Sequence, residues 1–215
     1  MSKAICVMGE SGSGKTTAMR TLDPNVTYYI DCDGKGLSWK GWRRQYNAEK
    51  KNYFRSDDQN QIYSVMRGVS ETRKDIKNIV IDTANSIMIA DEFRRMKDKG
   101  YDKWQDLAMS VYAIATEASK LRDDMNVIML FHVQVERNEI TGQAFTRILT
   151  NGKMLNKVGL EKYFTTVLLS KRNENGEYVF ETRANNSTAK SPKDAFDVEE
   201  IPNDMGAVLT ALEDF

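Results

Sequence analysis

The chain has 215 residues, enough to bury one sizeable α/β core and too few for two generous ones. Hydrophobic residues make up 40% and charged residues 29%, and 31 Lys and Arg balance 31 Asp and Glu, so no global positive field draws it to nucleic acid and any such binding needs a local patch. Two cysteines without CxxC spacing and a single histidine exclude a His/Cys metal cluster. They predict a buried, reduced pair, Cys6 and Cys32.

Ala4 to Met8 reads as a short apolar strand running into Gly9-Glu10-Ser11-Gly12-Ser13-Gly14-Lys15-Thr16, which fits G-x-x-x-x-G-K-[ST] at every fixed position. Strand, glycine loop and helix in that order form a nest of backbone N–H groups for phosphate oxygens. Gly9 to Thr17 are therefore the expected ATP-binding residues. Lys15 would reach the β- and γ-phosphates, and Thr16 would offer its hydroxyl to Mg²⁺.

Lys15 to Leu22 predicts a short helix stopped by Asp23-Pro24, and Val26 to Asp31 a second strand. A polar stretch with Gly34, Gly36, Gly41 and two tryptophans follows. Ile62, Val65, Met66 and Val69 recur at helical spacing and predict a helix over about 59–74. Asn78 to Asp82 is a third strand. Ile87, Ile89, Phe93 and Met96 suggest a helix, and Trp104, Leu107, Val111, Ile114, Ala118 and Leu121 a longer amphipathic one. Asn126 to Phe131 is a fourth strand, apolar enough for the centre of a parallel sheet. From His132 to about Asn151 the pattern is lost. Phe164–Ser170 and Glu177–Thr182 read as a late hairpin turning at Asn173-Glu174-Asn175-Gly176, and Val208, Leu209 and Leu212 as a short final helix. The expected fold is a single domain over 1–215, α/β, with a mainly parallel sheet flanked by helices and a late antiparallel hairpin. No segment approaches about 18 apolar residues and no long apolar run follows Lys3, so a cytoplasmic location without a membrane partner is expected.

Three strand ends carry the remaining chemistry. Asp82 ends an apolar strand, where a carboxylate can hold Mg²⁺ beside Thr16. Asp31 and Asp33 end the second strand; if that strand lies beside the first, one of them can orient the attacking water as general base, Asp33 being the preferred candidate. Either acid can instead shape a turn with Gly34. His132 and Gln134, after the fourth strand, lie on one side by period two and are candidate γ-phosphate sensors, or ordinary structural groups.

Walker A loop, Ile-Asp-Cys-Asp, Ile-Val-Ile-Asp-Thr and Phe-His-Val-Gln, in that order, resemble the RecA-like ATPase core. The chain is most similar to the small phage RecA-like proteins that bind single-stranded DNA and assist strand annealing. The resemblance covers residues 1 to about 135. It implies ATP and Mg²⁺ as cofactors, Lys15, Asp33, Asp82, His132 and Gln134 as catalytic residues, and location in the host cytoplasm. Asp33 stands where RecA-type proteins have Glu, one methylene longer. It also implies a homo-oligomer, ring or filament, whose ATP sites are completed by a neighbour's cation. Lys190, Arg183 and Arg172 are the candidates for that finger, with Lys190 closest to the family position. Single-stranded DNA is the implied partner, with a single-strand-binding protein as a further candidate. Loops after the third and fourth strands would touch the DNA. The second carries Arg137, Phe145, Arg147, Lys153 and Lys157; the first, Arg94 to Trp104, holds Arg95, Lys97, Lys99, Tyr101 and Lys103, and reads slightly better as a solvated helix end. Lys35 to Tyr46, with Trp39, Trp42, Arg43 and Arg44, could stack bases, cover adenine or form an interface. Two other readings stand beside this one: a P-loop nucleotide or small-molecule kinase, and a nucleotide-dependent regulator with little or no hydrolysis.

Overall fold

A computed structural model describes residues 2–96, 102–137, 142–150 and 159–215. Strands β1 (Lys3–Gly9), β2 (Thr27–Asp31), β3 (Tyr53–Arg55), β4 (Asn78–Asp82), β5 (Asn126–Phe131), β8 (Thr166–Arg172), β9 (Tyr178–Glu181) and β10 (Glu200–Pro202) form one sheet in the order β10-β9-β8-β1-β5-β4-β2-β3. From β8 to β3 all neighbours run parallel; β9 is antiparallel to both β8 and β10. Strands β6 (Val133–Arg137) and β7 (Ala144–Ile148) form a separate antiparallel pair.

Apolar content orders the sheet. In β1, β4 and β5 nearly every residue is buried, as a strand covered on both faces requires, whereas β3 is half-exposed and closes the edge. One face carries Cys6, Met8, Ile79, Ile81, Val127, Met129 and Val167 against α3 (Gln59–Thr72), α4 (Ala84–Arg94) and α5 (Asp102–Ala118). The other carries Ile5, Val7, Tyr29, Val80, Ile128 and Leu168 against α1 (Lys15–Ala18), the 3-10 turn Met19–Thr21, α6 (Met205–Ala211) and the loop holding Leu37 and Tyr46. Cys6 and Cys32 are buried and free, and burial pushes both thiols well up. No helix among the described residues is long and apolar enough to cross a membrane.

The mainly parallel sheet, its flanking helices and the late hairpin follow the sequence expectation. Two expectations need correction. Strand β2 does not lie beside β1: β5 and β4 stand between them, because the two uninterrupted apolar runs take the centre and the more polar β2 is displaced outward. The patternless stretch after His132 contains β6 and β7. Their alternation, Val133-Gln134-Val135-Glu136-Arg137 against Ala144-Phe145-Thr146-Arg147-Ile148, is that of a half-exposed ribbon, with Val133 opposite Ile148. The short α2 (Trp42–Gln45), β3 and β10 were also not expected.

Candidate functional site: a phosphate loop facing two carboxylates

The strand order brings the carboxyl ends of β1, β4, β5 and β8 to one edge, where ligands of open α/β sheets bind. There the Gly9–Gly14 loop leads into α1. Gly14 has φ 96°, and a Cβ on it would come within 3.1 Å of both Asn203 and Tyr178, so glycine is required on two counts. The loop is pinned from outside: Ser170 Oγ donates to the Ser13 carbonyl at 2.7 Å, and Asn203 Nδ2 donates to Ser170 Oγ at 3.1 Å.

Lys15 is 6% exposed, and its ammonium donates to the Gly9 and Glu10 carbonyls, both at 2.8 Å. Burial pulls its pKa down to about 8, against the opposing charge of Asp82. Thr16 Oγ1 donates to Asp82 Oδ2 at 2.8 Å and Tyr29 OH to the same oxygen at 2.7 Å, while Thr83 Oγ1 holds Oδ1 at 2.9 Å. A hydroxyl and a carboxylate meeting beside a phosphate loop are the oxygen donors Mg²⁺ takes, so the residues fit that ion, with Thr16 and Asp82 as its holders. When bound it would neutralise charge on the β- and γ-phosphate oxygens.

Asp31 and Asp33 are placed differently. Asp31 ends β2 and shapes the following turn: its carboxylate accepts the Gly34 and Gly36 N–H groups, each at 2.8 Å, and the Tyr53 hydroxyl at 2.6 Å. Asp33 lies in that turn, past the strand, which lets it reach the site although β2 is remote from β1. Ser86 Oγ donates to Asp33 Oδ1 at 2.5 Å, the Thr83 hydroxyl, sharing its one proton with the shorter contact to Asp82, lies 3.2 Å from Oδ2, and the Lys35 ammonium pairs with Oδ2. Burial works to raise the Asp33 pKa, but the hydrogen bonds from Lys35 and Ser86 outweigh it and hold the carboxyl below its ordinary value.

A cavity of about 510 Å³ opens between these groups. Lys15, Thr16, Lys35, Thr83 and His132 line it toward the strand ends, and Arg20, Tyr178, Asn203 and Asp204 line it between α1 and α6. That volume suits a small-molecule ligand. His132 loses proton affinity through burial and then through the Lys15 charge.

His132 and Gln134 are separated by the break between β5 and β6. His132 stays in the cavity, while Gln134 joins the second sheet, opposite Arg147, and donates to Glu136 at 2.6 Å. Period two fails as a guide here because the chain changes sheet at His132. Asn85, next to Thr83, ties both ends of the hairpin to the site: its Oδ1 accepts the His132 N–H at 2.7 Å and its Nδ2 donates to the Leu149 carbonyl at 2.8 Å.

Of the foreseen DNA contacts, Arg137 and Phe145 are exposed on this hairpin. Arg147 is turned inward instead, 3.6 Å from both Glu136 and the buried Glu161. Lys153 and Lys157 lie outside the described residues, as do Lys97, Lys99 and Tyr101 and the side chains of Lys103 and Trp104. Arg94 and Arg95 pair with Asp57 and Asp91, consistent with a solvated helix end. None of the three finger candidates lines this chain's own phosphate cavity. Arg172 donates to the Gly176 carbonyl and lies over the Tyr178 ring, Arg183 donates to the Phe196 carbonyl, and the Lys190 backbone pairs with Val167, beside mid-β1. Trp39 packs on Tyr29 and Tyr46, and Trp42 on Tyr53, so the basic-aromatic patch serves largely as cover for β2.

Sequence reasoning missed Tyr29, Lys35, Thr83, Ser86 and Asn203. Only Lys35 had a local signal, the flanking glycines after an acid-ended strand; the others depend on which strands meet.

Comparison with curated proteins returns no match. A family profile described as AAA domain matches residues 1–192, which include the phosphate loop, both carboxylates and the β6–β7 hairpin. With that match, and with a phosphate-loop cavity at the carboxyl edge of a parallel sheet, the chain belongs to the AAA domain family of P-loop ATPases.

Proposed function

We propose that this protein is a Mg²⁺-dependent ATPase of RecA-like type that acts on single-stranded DNA in phage-type recombination, as a strand-annealing oligomer with shared ATP sites. The observation that carries the catalytic part is Asp33, held by Ser86, Thr83 and Lys35, of which Thr83 and Lys35 line the cavity together with Lys15. Lys15 and the loop N–H groups hold the phosphates, and Thr16 and Asp82 hold the ion. Asp33 accepts a proton from the water that attacks the γ-phosphorus. Thr83 touches both carboxylates, so the position of the base is coupled to that of the ion-holding acid.

The DNA part rests on the hairpin. Asn85 clamps its two ends to the segment after β4, and the ribbon exposes Arg137 on one face and Phe145 on the other, a phosphate-neutralising group and a stacking ring. With a net charge of zero, binding through such a patch would be strongly salt-sensitive. One observation favours slow turnover, as in a nucleotide-dependent regulator: Lys35 and Ser86 already donate to the Asp33 carboxylate and weaken it as a base.

The test is ATP turnover with and without a single-stranded oligonucleotide, for the wild type, Lys15→Ala and Asp33→Ala. The oligonucleotide should raise the rate; Lys15→Ala should lose nucleotide binding; Asp33→Ala should bind ATP but turn over roughly 10²–10⁴-fold more slowly. An oligonucleotide that neither binds nor changes the rate would remove the DNA assignment. Phosphoryl transfer to a nucleoside monophosphate would make the protein a kinase, and tight ATP binding without turnover a regulator. Particle size with ATP and DNA tests the oligomer, and a persistent monomer would remove the shared site.

A further inference from the structure

Two residues beyond the base, Lys35 lines the same cavity as Lys15, Thr16, Thr83 and His132, with its ammonium on Asp33. The turn that carries both is firmly built. Asp31 takes the Gly34 and Gly36 N–H groups, Tyr53 braces Asp31, and the Arg55 guanidinium bonds the Gly34 carbonyl. Trp42 packs so close to Gly36 that a Cβ there would lie 2.7 Å from its ring. The Lys35 side chain, by contrast, is 54% exposed, on a flexible stem above a rigid base.

Only the Lys35 end of the pair is exposed, so its ammonium can swing from the carboxylate to a stronger anion. The γ-phosphate of ATP is such an anion, carrying more charge than one carboxylate and entering the cavity that Lys35 lines. Of the other cavity cations, Lys15 approaches the phosphates from the loop side, and Arg20 donates to the Thr17 carbonyl at the α1 end, so Lys35 is the cation on the Asp33 side.

We propose that Lys35 is a further catalytic residue, a cation in cis that caps Asp33 until ATP binds and then transfers its charge to the γ-phosphate. This rests on the ATPase reading and adds to it a switch and a source of charge stabilisation within one subunit. In the step it serves, the water oxygen bonds to the γ-phosphorus as the bond from that phosphorus to the bridging oxygen breaks. The bridging oxygen leaves with its electron pair as part of ADP, and the water proton passes to Asp33. Lys35 moves no proton. Its charge stabilises the oxygens of the transferring group, and its departure from Asp33 restores the basicity that the pair had suppressed. Both effects act in the forward direction.

The experiment uses the full chain with Mg²⁺, as wild type, Lys35→Ala and Lys35→Arg, and measures the affinities for ADP and for the slowly hydrolysed analogue ATPγS beside ATP turnover. Lys35→Ala should leave ADP affinity within about twofold and lower the preference for ATPγS over ADP by about tenfold, the loss of one charge-assisted hydrogen bond. Its kcat should fall by about 10²-fold, with a large part retained in Lys35→Arg. An unchanged ATPγS-to-ADP preference would overturn the proposal. So would a Lys35→Ala rate equal to or above the wild type, which would make Lys35 a brake on Asp33 and nothing more. If the wild type binds nucleotide without turnover, the ATPase reading fails on its own, and the affinity preference still decides the assignment of Lys35 to the γ-phosphate.

Discussion

Replacing Tyr29 by phenylalanine removes one hydroxyl from the centre of the molecule and tests whether the carboxylate of Asp82 is held from behind. Tyr29 is fully buried, and its OH donates to Asp82 Oδ2 at 2.7 Å. Burial, and then the Asp82 charge, raise its pKa well above the ordinary value, so it remains a donor at any working pH. Phenylalanine keeps the ring contacts with Trp39 and Tyr46, whose centroids lie 6.3 and 5.4 Å away, so the loss is confined to the hydrogen bond. A bond to a charged acceptor contributes about 1.5–3 kcal/mol. Asp82 keeps hydroxyl donors on both oxygens, from Thr16 and Thr83, which puts the cost at the lower end of that range. For a chain of this length that is a fall in Tm of about 3–6 °C. The carboxylate also becomes freer to rotate, and the Mg²⁺ concentration for half-maximal turnover should rise by about tenfold, the lower end for an outer partner of a metal ligand. Thermal melts and a Mg²⁺ titration of turnover measure the two effects. A Tm lowered with no change in Mg²⁺ half-saturation would refute the orienting role, and no change in either would refute the hydrogen bond as a stabilising contact.

Three further outcomes follow from the geometry. Burial lowers the Lys15 pKa to about 8, and polyphosphate would raise it; nucleotide binding should therefore take up protons above pH 8, with affinity falling by at most about tenfold per pH unit there, and calorimetry in buffers of different ionisation enthalpy should show no such uptake at pH 6. Asp31→Asn turns an amide NH₂ toward N–H or O–H donors, so it should cost about 1–3 kcal/mol in denaturant melts and lower kcat more than ATP affinity; an unchanged kcat would mean that the turn does not set Asp33. On the hairpin, Arg147→Ala should lower Tm by leaving the buried Glu161 short of a counter-charge, whereas Arg137→Ala and Phe145→Ala should leave Tm unchanged and weaken oligonucleotide binding in an anisotropy titration, the Phe145 change by about 1–3 kcal/mol; full affinity in both would take the hairpin out of the DNA surface.

The parts that could be read from the sequence are those whose physics is local. The phosphate loop is legible because glycine, lysine and threonine at fixed spacing each meet a requirement within a few residues. The apolar runs of β1, β4 and β5 are legible because a strand buried on both faces leaves no room for polar residues. The late hairpin was marked by its Asn-Gly turn. The β6–β7 ribbon escaped because its alternation is weak: exposed Val135 and Phe145 interrupt it, and its burial depends on Asn186 and Thr188, which join it from another part of the chain. The pairing of His132 with Gln134 failed for a related reason, since a change of sheet between them cancels the period on which it depended.

The sequence by itself determined that a triphosphate loop follows the first strand, that acids stand at the ends of the second and third, and that the sheet is mainly parallel. Which acid does what was a tertiary decision. The order β1-β5-β4-β2 puts Asp82 beside Thr16 and leaves two strands between β2 and β1, so that only the glycine-bearing turn beyond β2 can carry Asp33 and Lys35 back to the cavity, while Asp31 is consumed in holding that turn. Strand order depends on which apolar faces bury best against one another along the whole chain, and no window of neighbouring residues contains that comparison.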